Sequence, residues 1–158
     1  MQTFIIAAPQ HLIPGCIQIQ HDHHSVFELD ILPTPQPIML PDGVFEKKLL
    51  ESFGEYFAHP EGGINLPVHL RGTEFQCRVW NALQRIKVGS VMAYGELAQR
   101  LNSSARAIGT ACRRNPIPLI VPCHRVVAKA GIGGFSGATQ GPQIEQKRRL
   151  LAHEGVVL

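Results

Sequence analysis

The sequence lacks any apolar stretch near the roughly 18 residues that a membrane span requires. Its first eight residues are apolar, but they are too few for a signal peptide and no basic region leads them. We therefore expect a protein without membrane association, located in the cytoplasm. The remaining composition, 44% hydrophobic and 17% charged, is typical of a globular protein that folds in water.

Cysteine is scarce, and its spacing is irregular. A chain of 158 residues can bury a core as one compact domain or two small ones, so it does not need disulfides. We expect reduced thiols at all four positions, which are Cys16, Cys77, Cys112 and Cys123. Ordered metal-ligand spacing is also lacking, and the histidine-rich run at residues 21–24 fits a solvated turn better than a zinc site.

Positive charge is nearly absent from the first 70 residues, which hold 2 Lys and Arg against 8 Asp and Glu, a net charge of −6. Residues 71–158 hold 13 against 4, a net charge of +9, and the two parts sum to the formal +3 of the chain. This asymmetry is typical of a nucleic-acid-binding domain joined to a domain of another kind.

The first part of the chain has the pattern of a small α/β domain. Apolar and polar residues alternate over residues 16–20 and again over 25–32, which predicts a β-hairpin. Helical spacing follows over residues 45–57. Proline and glycine are frequent from about residue 58, which predicts a linker and places the first domain at residues 1–65.

The second part, residues 66–158, has the pattern of short helices. Thr73 can cap a first helix, and residues 94–101 and 105–114 form two more, joined by a tight turn. Two short helices joined in this way within a basic segment indicate a helix-turn-helix. Another helix is predicted at residues 143–154 near the end of the chain.

The second helix of this predicted helix-turn-helix has an unusual composition for a DNA reader. Ala105, Ala107 and Gly109 leave little side chain to read a major groove. Small residues instead allow the backbone to approach a narrow surface closely. One long cation, Arg106, stands on this otherwise smooth helix.

A rigid segment leads to Cys123. Three prolines at residues 116, 118 and 122 restrict the backbone, and His124 and Arg125 would favour the thiolate that a nucleophilic cysteine requires. In an extended chain the side chains of Cys123 and His124 point apart, so they would meet directly only in a turn or through a bridging water molecule, and we expect the water. The adjacent pair does not match the spacing of zinc ligands, and a buried packing cysteine is the alternative interpretation.

The segment Pro122-Cys123-His124-Arg125-Val126-Val127, preceded by an Asn-Pro-x-Pro run that begins at Asn115, resembles the signature of the O6-alkylguanine-DNA alkyltransferases. These are the methylated-DNA–protein-cysteine methyltransferases. Similar blocks occur in the family's order from about residue 66 to 155, at residues 72–80, 93–98, 105–109 and 152–155. The resemblance implies a mixed α/β (α+β) fold with a ribonuclease-H-like sheet-plus-helix domain followed by a winged-helix-like helix-turn-helix domain.

The resemblance also implies a reaction. An alkyl group would pass from O6-alkylguanine, and from O4-alkylthymine, in double-stranded DNA to Cys123, once per protein molecule. His124 would act as a base through water, Glu154 would hold His124, and Asn115 would order the active-site turn. A monomer would suffice, without cofactor or metal.

The target nucleotide would be flipped out from the minor groove, because its O6 atom lies within the base stack. The family's functional positions correspond here to residues that contact DNA or the flipped base: Tyr94, Arg106, Ala105, Ala107, Gly109, Gln76, Lys129 and Ser136. Of these, Arg106 would fill the vacated stack, and Gln76 and Lys129 would contact phosphates. The chain departs from the family pattern at Ala93, where Ser or Thr is usual, and in an insertion at residues 138–143.

Two other classes of function compete with this interpretation. A non-catalytic lesion-binding or regulatory helix-turn-helix protein would share the blocks, but such members lack the cysteine of the motif. A cysteine hydrolase would require an oxyanion hole and repeated turnover, and the sequence offers no hydrolase signature.

Overall fold

The computed structural model of the protein describes residues 1–135 and 140–158. It contains five short strands, five helices and two 3₁₀ turns within these ranges. In chain order, the elements are β1 (Gln2–Ala7), β2 (Cys16–His21), β3 (Val26–Leu32), α1 (Gly43–Ala58), a 3₁₀ turn (Pro60–Gly62), α2 (Glu74–Leu83), β4 (Met92–Ala93), α3 (Tyr94–Arg100), α4 (Ala105–Arg113), a second 3₁₀ turn (Cys123–Arg125), β5 (Val126–Val127) and α5 (Pro142–His153).

The N-terminal sheet confirms the predicted hairpin and adds a strand that was not predicted. Strands β1, β2 and β3 pair antiparallel in that order, with Phe4 opposite Ile19 in the register. Phe4 and Ile6 alternate with more exposed neighbours, so β1 buries one face. Helix α1 covers residues 43–58 and buries Phe45, Leu49 and Phe53, as its spacing predicted, whereas Leu50 of the same predicted pattern is 43% exposed.

The histidine-rich run is not uniformly solvated, which corrects the prediction. His21 is fully buried at the end of β2, where its Nε2 lies 2.8 Å from Glu46 Oε1 and its Nδ1 accepts a hydrogen bond from the His23 amide. His23 and His24 are exposed. Both nitrogens of this buried imidazole have partners, and helix α1 supplies one of them. Within residues 1–135 and 140–158, no cluster of three or more His, Cys, Asp or Glu residues could hold a metal ion.

The C-terminal part confirms the predicted helices. The Thr73 hydroxyl accepts from the Gln76 amide and the Gln76 side chain accepts from the Thr73 amide, which forms a complete capping box for α2. The Ser104 hydroxyl caps α4 by accepting from the Ala107 amide. Helices α3 and α4 pack against each other across the turn at residues 101–104 as a helix-turn-helix. A parallel pair of two-residue strands, β4 and β5, was not predicted.

The predicted linker packs against the sheet. Val68 bridges to Val26 of β3, with hydrogen bonds from the Val26 amide to the Pro67 carbonyl (2.9 Å) and from the His69 amide to the Val26 carbonyl (2.8 Å). Buried apolar residues from both parts of the chain belong to one hydrophobic cluster. The boundary near residue 65 therefore stays a prediction. None of the helices in the described ranges combines the length and the apolar character needed to cross a membrane.

Candidate active site

The turn before Cys123 is held by the side chain of Asn115. Its Oδ1 accepts from the Ile117 amide at 2.9 Å, and its Nδ2 donates to the Val121 carbonyl at 2.7 Å. Between these two points Leu119 adopts a left-handed conformation with φ of 73°, which costs about 1–2 kcal/mol for a residue with a side chain. Buried packing of Leu119 and the two Asn115 bonds hold this strained turn, so the chain reaches Cys123 in a fixed position.

Cys123 begins a 3₁₀ turn, which corrects the expectation of an extended chain. The turn spans Cys123–Arg125 and is closed by a hydrogen bond from the Arg125 amide to the Pro122 carbonyl (3.0 Å). The side chains of Cys123, His124 and Arg125 are all buried. Proline at position 122 fixes φ at the entry to the turn and favours this geometry over a strand.

His124 is a buried imidazole with one nitrogen in use. Its Nε2 lies 2.8 Å from Glu154 Oε2, whereas its Nδ1 has no hydrogen-bond partner among the residues that the structure describes. Burial lowers the pKa of His124, and Arg125 and Lys147 act in the same direction, against the opposing effect of Glu154. A neutral imidazole that donates from Nε2 leaves a free lone pair on Nδ1. His124 can therefore act as a general base at this nitrogen.

Glu154 is the carboxylate at the centre of the site. Arg125 donates to both of its oxygens, from Nε to Oε1 at 2.8 Å and from Nη2 to Oε2 at 3.0 Å. Burial alone would raise the pKa of Glu154, but the hydrogen bonds and charges of His124 and Arg125 lower it to about 2. Because Arg125 also donates to the Ile86 carbonyl at 2.7 Å, its guanidinium is committed to this pair. The sequence suggested that Arg125 favours the Cys123 thiolate, but its guanidinium pairs with Glu154 instead.

The Cys123 thiol is protonated at rest, which corrects the expectation of a thiolate favoured by its neighbours. Burial raises the pKa of Cys123, and this outweighs the effects of the nearby Asn115 side chain and of the Lys147 charge, both of which lower it. His124 and Arg125 do not stabilise the thiolate. A nucleophilic Cys123 must therefore transfer its proton to a base when it reacts.

Lys147 is the functional candidate that sequence reasoning missed. It is fully buried in helix α5, and its Nζ donates to the carbonyls of Val126 (2.7 Å) and Gly134 (2.8 Å). Burial lowers the pKa of Lys147 to about 8, although the thiols of Cys112 and Cys123 act to raise it. A signal was present, because Lys147 falls on the apolar face of α5, where a lysine needs a reason to be buried.

Cys123 opens onto a cavity with a volume of about 870 Å³. Its walls come from α3, α4, Cys123 and the chain at residues 128–129 and 134–135. They are Tyr94, Gly95, Ala105, Arg106, Gly109, Thr110, Cys112, Arg113, Cys123, Ala128, Lys129, Gly134 and Phe135. The cavity thus brings the predicted nucleophile together with five of the predicted binding residues. Arg106 and Lys129 are exposed at its rim, and Arg106 forms no ion pair within the described part of the chain.

Tyr94 forms one wall of this cavity. Its hydroxyl donates to the Gly134 carbonyl at 3.2 Å, the same oxygen that Lys147 binds, and Lys147 Nζ lies 5.7 Å from the centre of the Tyr94 ring. Gly133 has φ of 74°, and a Cβ there would lie 3.0 Å from Tyr94 Cε2 and 2.9 Å from the Ala128 nitrogen. Only glycine allows the chain to pass this close to the ring.

The other predicted binding residues lie outside this cavity. Gln76 and Ala107 line a smaller cavity of about 430 Å³ between α2 and α4, which also contacts Arg106. The Gln76 carbonyl is engaged in the capping box, which leaves its amide nitrogen as the available donor. Ser136 and the start of the predicted insertion at 138–143 lie outside the described residues.

Fold and site together define a helix-turn-helix protein with a buried cysteine–histidine–glutamate site beneath an open, basic-rimmed cavity. Residues 74–156 match the family model described as 6-O-methylguanine DNA methyltransferase, DNA binding domain, which covers more than half of the chain. The chain belongs to the methylated-DNA–protein-cysteine methyltransferase family.

Relatives of this family are similar over most of the chain. A methylated-DNA–protein-cysteine methyltransferase of Sulfolobus acidocaldarius is 36% identical over 142 residues, covering 90% of this chain and 88% of that protein. The crystal structure of Mycobacterium tuberculosis OGT in complex with DNA is 32% identical with a TM-score of 0.77, covering 96% of this chain and 91% of that one. An O6-methylguanine DNA methyltransferase from Methanococcus jannaschii is 28% identical with a TM-score of 0.63, covering 98% and 95%.

Proposed function

We propose that this protein repairs DNA by a single transfer of an alkyl group from O6-alkylguanine, and from O4-alkylthymine, to Cys123. One observation carries the proposal. A buried thiol opens onto a large cavity, and the next residue is a neutral histidine whose Nε2 pairs with a carboxylate and whose Nδ1 has no hydrogen-bond partner in the described part of the chain. This is the arrangement of an activated nucleophile, and family membership supplies the substrate class.

The chemistry follows from the charge states of the site. The Cys123 proton passes through a water molecule to His124 Nδ1, and Glu154 stabilises the imidazolium that forms. The sulfur attacks the alkyl carbon, an S–C bond forms, and the C–O6 bond breaks with its electron pair going to guanine. Guanine then takes up the proton. The product is a thioether, which is a poor leaving group, so each molecule reacts once.

Binding is proposed to follow the surface around the cavity. The small residues of α4 allow it to approach the minor groove of double-stranded DNA, with Arg106 entering the base stack as the target nucleotide rotates into the cavity. Tyr94 contacts the flipped base, and Gln76 and Lys129 hold phosphates. The protein acts as a monomer, and residues 66–158 carry both the reactive thiol and the DNA-binding surface.

The function is tested by incubating the protein with duplex DNA that carries one O6-methylguanine. Nucleoside analysis of the DNA should show guanine restored, and the intact protein mass should increase by one CH₂ unit. Restored guanine without a change in protein mass would indicate a hydrolytic or oxidative route and would overturn the proposal. Bound but unchanged DNA would indicate a lesion-binding protein.

Arg106→Ala should separate nucleotide flipping from chemistry. We expect repair of duplex DNA to fall by roughly 10- to 100-fold, because the side chain that fills the vacated stack is lost and the flipped state is no longer stabilised by it. Reaction with free O6-benzylguanine should stay unchanged, since the free base needs no flipping. Arg100→Ala is the matched control, because Arg100 is also exposed but pairs with Glu96 on α3. Equal losses on both substrates would contradict the role.

Lys147→Met should slow transfer from both substrates. An opposite charge close to an ionisable group typically shifts its pKa by about 1–3 units, so the accessible thiolate should fall by roughly 10- to 1,000-fold. Arg148→Met is the control, because it removes one positive charge from the exposed side of the same helix. The measurement is the rate of reaction with free O6-benzylguanine. Equal rates for the two variants would remove Lys147 from the site.

A further inference from the structure

Helix α1 is far from Cys123 in sequence, yet one of its side chains donates a hydrogen bond to the Glu154 carboxylate. Tyr56 is buried, and its hydroxyl donates to Glu154 Oε2 at 2.6 Å across 98 positions of sequence. The same oxygen accepts from His124 Nε2 at 2.8 Å and from Arg125 Nη2 at 3.0 Å. Three donors therefore converge on Oε2, and Tyr56 is the one that lies outside the active-site turn.

The direction of this hydrogen bond is fixed by the charge states. Glu154 is a carboxylate, so the phenol must donate. Burial raises the pKa of Tyr56, and the charge of Glu154 acts in the same direction, so the phenol keeps its proton. Because a carboxylate oxygen has limited accepting capacity, each bond that it accepts weakens the others. Tyr56 thus competes with His124 for the negative charge of Oε2.

Tyr56 is held at its main-chain carbonyl as well as at its side-chain hydroxyl. His153 Nε2 donates to the Tyr56 carbonyl at 2.8 Å, and the two rings meet edge to face with centroids 5.2 Å apart. His153 directly precedes Glu154, so α5 is fastened to α1 at two adjacent residues. A side chain bound at both its main chain and its tip is well suited to orient a carboxylate.

We infer that Tyr56 is a positioning residue of the transfer reaction, which fixes Glu154 and limits how strongly that carboxylate favours a proton on His124 Nδ1. This inference rests on the proposed function. Helix α1 thereby completes the relay that begins at Cys123, and the N-terminal part of the chain has a role in the chemistry. Without the phenol, more of the Oε2 charge would be directed at His124, and Nδ1 would be protonated at a higher pH.

Three charged groups face His124 and set the background for this effect. Glu154 lies at the end of α5, Lys147 lies about two turns earlier on the same helix, and Arg125 lies directly after His124 in the 3₁₀ turn. All three are retained when only the phenol oxygen is removed. A change in the pH dependence of transfer can therefore be assigned to the Tyr56 hydrogen bond.

The experiment measures the rate of transfer from free O6-benzylguanine as a function of pH in the full-length protein. Because a protonated Nδ1 cannot accept the Cys123 proton, the rate should fall on the acid side. Tyr56→Phe should move the midpoint of this fall upward by roughly half a unit to one unit. A fluorinated tyrosine, incorporated only at position 56, is a stronger donor of the same shape and should move the midpoint downward.

The control is Phe53→Leu, which loosens the core packing of α1 without removing a hydrogen bond to Glu154 or to Tyr56. It should lower the melting temperature and leave the midpoint unchanged. An unmoved midpoint in both position-56 variants would overturn the inference and leave Tyr56 a structural residue. If Tyr56→Phe does not fold, the fluorinated variant alone decides by the direction of its shift. A wild-type protein that transfers no alkyl group would instead refute the proposed function.

Discussion

Cys123→Ser should abolish alkyl transfer completely while leaving the fold and DNA binding intact. The hydroxyl occupies nearly the same space as the thiol, so the 3₁₀ turn and the Asn115 bonds can form as before. A neutral His124 is too weak a base to ionise a serine hydroxyl in this buried site, and the oxygen is a poorer nucleophile than sulfur. We expect no protein mass increase after prolonged incubation with O6-methylguanine DNA.

Cys112→Ser is the matched control for this prediction. Cys112 lines the same cavity, but burial raises its pKa to about 12, and Cys123 acts in the same direction. No base lies next to Cys112 in the sequence. This variant should transfer at a rate within about threefold of the wild type, because only packing changes. Loss of transfer in Cys112→Ser with retention in Cys123→Ser would reverse the assignment.

Glu154→Gln should be the most destabilising single change in the site. His124, Arg125 and Tyr56 would lose the carboxylate that they share, and the Arg125 charge would stay buried without a partner. Breaking a buried ion pair in this way typically costs about 3–5 kcal/mol of unfolding free energy. Loss of imidazolium stabilisation should also slow transfer by roughly 100-fold or more. Chemical denaturation and the rate with free O6-benzylguanine measure the two effects.

Glu145→Gln provides the control, because Glu145 lies on the exposed side of α5 and pairs with Arg148. Its unfolding free energy should change by less than about 1 kcal/mol.

The wild-type protein should also lose stability at low pH because of Glu154. Since folding lowers the pKa of Glu154 from its ordinary value of 4.5 to about 2, its contribution is present above pH 4.5 and is lost as the pH falls toward 2. Equal pH profiles for wild type and Glu154→Gln in this window would contradict the account.

Helices with complete local signals could be predicted from the sequence. Thr73 with Gln76 forms the capping box of α2, and Ser104 caps α4, because the hydrogen bonds involved span only three residues. Strands β4 and β5 could not be predicted, since a two-residue strand has no periodicity and exists only through its distant partner. Strand β1 was missed because its short apolar run, residues 4–7, lacks the alternation of apolar and polar residues that identifies a strand.

The motif located Cys123, His124 and Glu154 in the chain, but it did not give their charge states. Those depend on burial and on which cation faces which group, and neither follows from adjacency in sequence. Arg125 is two residues from Cys123 in the chain, yet it pairs with Glu154, whereas the cation that lowers the pKa of Cys123 is Lys147 on α5. Tyr56 was missed because its partner lies 98 positions away and its hydroxyl contributes no local pattern.

The central claim is that Cys123 accepts one alkyl group and is not regenerated. It is tested most directly by peptide-resolved mass spectrometry of the protein after incubation with excess O6-methylguanine DNA, sampled over time. We expect a plateau at one methyl group per molecule, all of it on the peptide that contains Cys123. A methyl group on Cys112, or guanine formed beyond one equivalent of protein, would contradict it.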